Sequence, residues 1–116
     1  MPDLAPHIDT ALLGRLMDEV STFGATPGGG LCRLSADAED GAARTWLRNT
    51  MTDAGFTVTV DCVGNMFGVL DLAGPDAPLV LAGSHLDSQP FGGRYDGAYG
   101  VVAAVATAVA LGATAR

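Results

Sequence analysis

Residues 79–97 read Leu79-Val80-Leu81-Ala82-Gly83-Ser84-His85-Leu86-Asp87-Ser88-Gln89-Pro90-Phe91-Gly92-Gly93-Arg94-Tyr95-Asp96-Gly97. The first four are apolar without alternation, a pattern that predicts a short strand buried on both faces of a sheet. The residues after them are polar and rich in glycine, which predicts a loop. From Val101 onward an Ala-rich helix with little polar surface is expected to pack against that sheet. Strand, loop and helix in this order make the unit of an α/β fold, where functional groups gather beyond the carboxyl ends of the strands. The loop holds one His, two Asp and four Gly, so it is the first place to look for chemistry.

Upstream, Leu12, Leu13, Leu16, Met17, Val20 and Phe23 recur at helical spacing behind a cap at Asp9 or Thr10, with Gly24 just past the end. Pro27 and Gly28-Gly29-Gly30 force a loop. A second helix is expected to open near Ser35 or Asp37, with Asp37, Glu39 and Asp40 where the helix dipole favours acids. Its apolar stripe is Ala43, Trp46, Leu47 and Met51, and Gly55 is its stop. Residues 56–62 then alternate: Phe56, Val58, Val60 and Cys62 on one face, Thr57, Thr59 and Asp61 on the other. Gly64-Asn65 makes a turn into a partner strand over residues 66–72, and Gly74-Pro75-Asp76 closes this hairpin off. The order helix, helix, strand, strand, strand, loop, helix is α/β, without internal repeats.

The chain of 116 residues is one domain at most and can bury a modest core. Thirteen acids against six bases give a net charge of −7, which argues against a nucleic-acid surface. All six bases are Arg, so no Lys nucleophile or Schiff base is available. Cys32 and Cys62 make neither a disulfide framework nor a zinc ribbon, and both are expected as small buried hydrophobes. The opening residues carry Asp3 and Asp9 with no basic stretch before an apolar run, so no secretory leader is expected. The longest apolar stretch, residues 101–111, is far short of the ~20 residues that span a bilayer. A cytoplasmic location, with no membrane partner, is the expectation.

His85 offers an imidazole nitrogen suited to zinc and similar divalent metals. Asp87 falls on the same side of an extended chain, where a carboxylate can hydrogen-bond the other ring nitrogen and fix the tautomer. Asp96 follows glycines that let the backbone fold back, and its two oxygens can bridge cations about 3.5–4 Å apart. Taken alone, a His-x-Asp is common on surfaces and an Asp-Gly is most often a turn. Spacing and composition therefore establish a ligand-rich loop and no more.

The whole string is more specific. Gly83-Ser84-His85-Leu86-Asp87-Ser88-Gln89-Pro90, followed by Gly92-Gly93-Arg94-Tyr95-Asp96-Gly97 and Gly100-Val101, resembles the metal-binding signature of the N-carbamoyl-L-amino acid hydrolases. With allantoate amidohydrolases and one type of β-ureidopropionase, these form a branch of the dinuclear metallopeptidase superfamily of aminoacylases and carboxypeptidases. The similarity extends back through Gly29-Gly30, Arg33-Leu34, Ala43-Arg44, Trp46-Leu47, Ala54-Gly55, Asp61 and Gly64-Asn65, covering residues 12–104.

The resemblance implies the N-terminal part of a three-layer catalytic domain of zinc-dependent exopeptidase type, incomplete over residues 1–116 and without the family's dimerisation domain. It implies that His85 binds one metal, that Asp96 bridges two, and that Asp87 is the carboxylate behind His85. A cis peptide between Asp96 and Gly97 is also implied. The cofactors would be two divalent ions (Zn, Mn, Co or Ni) in a parent enzyme that is a homodimer. The reaction implied is hydrolysis of a carbamoyl or ureido C–N bond of a small molecule, releasing ammonia, carbon dioxide and an amino acid. Water made acidic by two cations attacks the carbonyl carbon, with a glutamate as general base. Ser88-Gln89-Pro90 tilts the substrate toward N-carbamoyl amino acids; allantoate, or acylated amino acids and peptides, are the alternatives.

The family's general-base Glu, a neighbouring Glu ligand and two further His ligands are expected beyond residue 116. His7 lies near a terminus, and Glu19 and Glu39 sit on helices whose polar faces account for them. One His and one Asp cannot hold two cations, since even a single catalytic zinc takes three protein ligands. The chain alone is expected to be inactive, and a non-catalytic remnant that binds one metal weakly is the reading from another class. The last helix is expected to leave an apolar face in need of a partner. Gly28-Gly29-Gly30 lacks the following Gly-Lys-Ser/Thr of a phosphate cradle. Arg33 and Arg94 are each candidates to clamp a substrate carboxylate, with Arg94, inside the signature, the one assigned to substrate binding.

Overall fold

Asp9 caps the first helix, its carboxylate accepting from the Leu12 N–H at 2.8 Å. In the computed structural model, which describes residues 3–115, this helix α1 runs Thr10–Val20 behind a single 3-10 turn, Ala5–His7. Leu16, Met17 and Val20 are buried, as the periodicity predicts. The helix stops before Phe23 because the Ser21 and Thr22 hydroxyls fold back onto the carbonyls of Met17 and Glu19. Phe23 instead meets Trp46, ring centroids 6.3 Å apart.

Helix α2 spans Ala38–Asp53, with Asp37 accepting from the Asp40 N–H at 2.8 Å as its cap. Ala43, Leu47 and Met51 are its buried face. Trp46 donates its indole N–H to Glu19 at 2.9 Å, which ties α2 to α1.

Strands β1, Thr57–Val60, and β2, Met66–Val69, pair antiparallel with Thr57 opposite Val69 and Val60 opposite Met66. Both are shorter than expected: β1 ends early because the turn begins at Asp61, and β2 ends at Val69, opposite Thr57, the first residue of β1. That carboxylate accepts from the Asn65 side chain at 2.9 Å and from the Asn65 and Val63 backbone N–H groups at 2.8 and 3.0 Å. The Asn65 side-chain hydrogen bond, foremost, holds the Asp61 carboxyl below the usual carboxylate range. The hairpin docks on α2 through Gly68, where a Cβ would overlap the Met51 sulfur. Phe56 is buried beside it.

Helix α3, Ala98–Thr114, begins at the end of the signature loop. Val101, Val102, Val105, Ala106 and Ala110 are buried, and the helix lies against α1 rather than against a sheet. Leu16, Met17, Val20, Leu47, Met51, Phe56, Leu86, Val102 and Val105 form one continuous core. One face of α3 is thus covered, while Tyr99 and Leu111 on the helix remain 50 and 38% exposed. No helix among the described residues is long and apolar enough to cross a membrane.

The expected strand over residues 79–82 is not formed. Leu79, Val80 and Leu81 are 73, 92 and 78% exposed, and residues 79–87 make no backbone–backbone hydrogen bond among the described residues. A strand requires a neighbour to pair with, and among the described residues the hairpin is the whole sheet. The segment runs as an open arm. Accordingly the radius of gyration is 14.8 Å, above the ~13.4 Å of a compact domain of this length. Cys32 and Cys62 are exposed, not buried. Cys32 points outward between the inward-facing Leu31 and Arg33, and Cys62 falls in the hairpin turn.

This arrangement separates two groups of apolar residues by their energetic weight. Leu16→Ala is expected to destabilise the chain by about 2–5 kcal/mol. Replacing Leu79, Val80 or Leu81 by Thr should change stability by no more than about 0.5 kcal/mol. Urea unfolding followed by circular dichroism measures both.

Candidate metal centre

The signature loop is held in place by residues 31–33. Leu31 and Gly92 exchange backbone hydrogen bonds at 2.9 Å in both directions. Two residues after Leu31 and four before Gly92, the Ser88 N–H donates to the Arg33 carbonyl at 2.6 Å, and the Arg33 N–H donates to Ser88 Oγ at 2.9 Å. The close approach explains Gly30, where a Cβ would meet the Gly92 carbonyl oxygen at 2.7 Å.

Pinned this way, residues 85–88 are extended. Leu86 and Ser88 face inward at 8 and 7% exposure, so His85 and Asp87 face outward, as the period of two requires. His85 Nδ1 lies 2.9 Å from the Asp87 backbone carbonyl oxygen and 3.4 Å from its carboxylate Oδ1. The backbone oxygen is the hydrogen-bond partner, and the carboxylate stands just behind it. Both acceptors favour a proton on Nδ1, leaving the Nε2 lone pair free.

Nε2 points across the loop to Asp96 Oδ2, 4.0 Å away. Asp96 is brought there by a turn in which its N–H donates to the Gly93 carbonyl at 3.2 Å. Gly97 then adopts a φ of 70° and opens α3. A Cβ at Gly97 would run into the His85 ring and carbonyl, so glycine is required both for conformation and for room. The cis peptide expected at Asp96-Gly97 is absent, as from all the described residues. Gly97 makes the reversal as a γ-turn instead, with φ 70° and ψ −60° and the Ala98 N–H donating to the Asp96 carbonyl at 2.8 Å.

A cation bonding nitrogen at about 2.0–2.1 Å and carboxylate oxygen at about 2.0–2.2 Å holds the two donors about 3.4 Å apart at a tetrahedral angle. The His85–Asp96 pair, at 4.0 Å, has to draw in by about half an ångström to share such an ion. No group of three or more His, Cys, Asp or Glu placed to hold a metal occurs among the described residues. The donor set fits, and it is partial. Beside it lies an open depression of about 350 Å³ lined by Leu34, Ser35, His85, Asp87, Ser88, Gln89, Pro90 and Asp96.

The two arginines part company here. Arg94 donates to Asp18 on α1 at 2.8 Å, lies 5.0 Å over the Tyr95 ring, and is not among the residues lining the depression. As found, it braces the loop against α1. Arg33 is fully buried and so cannot meet a substrate carboxylate. Its Nε donates to the Leu86 carbonyl at 2.8 Å, and its Nη1 to the carbonyls of Val20 and Phe23 at 2.8 and 2.7 Å. Burial pushes its pKa down, opposed by the nearby Asp40, Asp37, Asp87 and Glu39. Sequence reasoning missed this clamp, and no local signal carries it, because the acceptors come from separate segments. Glu19 and Glu39 serve structure, accepting from Trp46 and from the Gly24 N–H.

Similarity to known proteins places this segment among amidohydrolases. No protein-family model matches the chain. It is 45% identical over 91 residues to an N-carbamoyl-L-amino acid amidohydrolase of Geobacillus stearothermophilus, covering 78% of this chain and 22% of that one. It is 40% identical over 98 residues to a ureidoglycolate hydrolase of Arabidopsis thaliana, covering 84% of this chain and 21% of that one. The crystal structure of a hydantoinase/carbamoylase family amidase from Burkholderia vietnamiensis superposes with a TM-score of 0.92 at 41% identity, over 99% of this chain and 28% of that one. The chain is a homologue of the hydantoinase/carbamoylase amidohydrolases and carries part of their mixed α/β fold. It spans about a fifth of the length of the curated relatives it matches.

The crowding at Gly97 gives a direct expectation. Gly97→Ala should destabilise the chain by about 1–3 kcal/mol, since alanine meets both a positive φ and the His85 ring. Thermal unfolding of the variant beside the wild type measures it.

Proposed function

We propose that the chain supplies one wall of a dinuclear metal centre in an amidohydrolase that cleaves linear ureido or carbamoyl C–N bonds. In this reading residues 1–116 are an incomplete N-terminal portion of the catalytic domain. His85 binds one ion through Nε2, Asp96 bridges both, and Asp87 holds the imidazole from behind. The observation that carries the reading is His85 Nε2 aimed at Asp96 Oδ2 across 4.0 Å, with Nδ1 already engaged by Asp87. Divalent cations (Zn, Mn, Co or Ni) supply Lewis acidity there and make water a nucleophile near neutral pH.

The substrate class follows from shared chemistry. N-carbamoyl amino acids and ureidoglycolate, named for two relatives, both carry a ureido group. N-carbamoyl-L-amino acids are the favoured substrates because Ser88, Gln89 and Pro90, which tilt the signature that way, line the depression beside His85. Allantoate or acylated amino acids are the alternatives within the superfamily. Arg94 as a substrate ligand would have to leave Asp18, and bracing of the loop accounts for it better. The remainder, a cytoplasmic homodimer acting on small molecules, rests on the resemblance alone.

The chain by itself is inactive in this account, because two donors cannot hold two ions. Incubated with Mn(II) or Zn(II) and an N-carbamoyl-L-amino acid, it should release no ammonia above the buffer rate; turnover would contradict the partial site. Exchanging the matching segment of the Geobacillus stearothermophilus enzyme for this chain should give an active chimera. In that chimera His85→Ala and Asp96→Ala abolish hydrolysis, and Asp87→Ala lowers metal affinity or activity about 10–100-fold. An active chimera indifferent to His85→Ala would overturn the assignment.

A further inference from the structure

We propose that Arg33 is a positioning residue for the metal-ligand segment, fixing the direction of His85 and Asp87 through the carbonyl of Leu86 that lies between them. The guanidinium is 0% exposed and joins two distant places. Through Nη1 it bonds the carbonyls of Val20 and Phe23 at the end of α1, where helix carbonyls lack intrahelical partners and a cation suits the dipole. Through Nε it bonds the Leu86 carbonyl at 2.8 Å. The main chain of the same residue pairs with Ser88 in both directions. The Leu86 carbonyl and the Ser88 N–H, one in each peptide plane flanking Asp87, are both held, so those planes have little freedom to rotate. Asp87 projects from between them, and its carbonyl oxygen, in the second plane, is the partner of His85 Nδ1 at 2.9 Å.

A buried arginine is a poor way to gain stability. Its Nη2 has no hydrogen-bond partner, and a well-packed apolar side chain of similar volume is often as stable as a buried charge. What the planar fork gives is direction: several N–H groups at fixed angles to carbonyls from two chain segments, which a lysine cannot reproduce. The relevance to metal binding rests on the reading of His85 and Asp96 as ligands; the geometric claim does not.

The test uses the whole chain, labelled with 15N and 13C, as wild type, Arg33→Met and Arg33→Lys. Contacts between the buried side chains of α1 and α3 report the core, and the contact between the His85 ring and the Gly97 Hα protons reports ligand direction without metal. Both variants should keep the core contacts and lose or weaken the His85–Gly97 contact. Mn(II) titration should broaden the amides of residues 85–87 and 96–98 in the wild type, with at least a tenfold higher midpoint in Arg33→Met. If either folded variant keeps the wild-type His85–Gly97 contact, or if both variants lose the core, the positioning role is wrong. Absence of Mn(II) broadening in the wild type would instead remove the metal reading, leaving the contact measurement to decide on Arg33.

Discussion

The short pairing of residues 31–33 with residues 88–92 is the constraint on which the site depends. Leu31 and Gly92 exchange backbone hydrogen bonds, while Arg33 accepts from the Ser88 N–H and donates its own N–H to the Ser88 hydroxyl. These bonds set the register of an otherwise irregular loop. Because the side-chain period of an extended chain is two, a slip of one residue would turn His85 inward and Leu86 out. Leu86 is in contact with the core shared by α1, α2 and α3, so the apolar interior and the ligand geometry enforce the same register.

From this anchor the loop departs in two directions with different consequences. Toward the C-terminus it turns through Gly93 and Gly97 into α3, whose buried valines lie against α1. The helix is thereby a rigid mount for Asp96, two residues from its first turn. Toward the N-terminus it becomes the exposed apolar arm at residues 79–81. His85 stands between the firmly packed side and the unpaired one. Its ring is fixed by contacts at Nδ1 and by the close approach of Gly97, while Nε2 faces the open depression.

Much of this architecture is legible in the sequence. Caps at Asp9 and Asp37, the stripes of α1 and α2, the hairpin and the outward pair His85 and Asp87 all follow from local rules, because neighbouring residues decide them. Three things are not. The run Leu79-Val80-Leu81-Ala82 has the composition of a buried strand, but burial depends on partners that composition does not supply. Residue type places Cys32 and Cys62 inside, yet exposure is settled by alternation and by where the turn falls. Arg33 is invisible to local reading, since its three acceptors come from two separate segments, at Val20 and Phe23 and at Leu86. The roles of His85, Asp87 and Asp96 are carried by the resemblance; spacing alone reaches only a ligand-rich loop.

On the proposed assignment His85 and Asp96 can share one ion without the rest of the site. Crystals of the chain soaked in zinc, with anomalous differences collected at the zinc edge, should then show a peak between His85 Nε2 and Asp96 Oδ2, within about 2.0–2.2 Å of each. Zinc held elsewhere, with that gap empty, would refute the shared site.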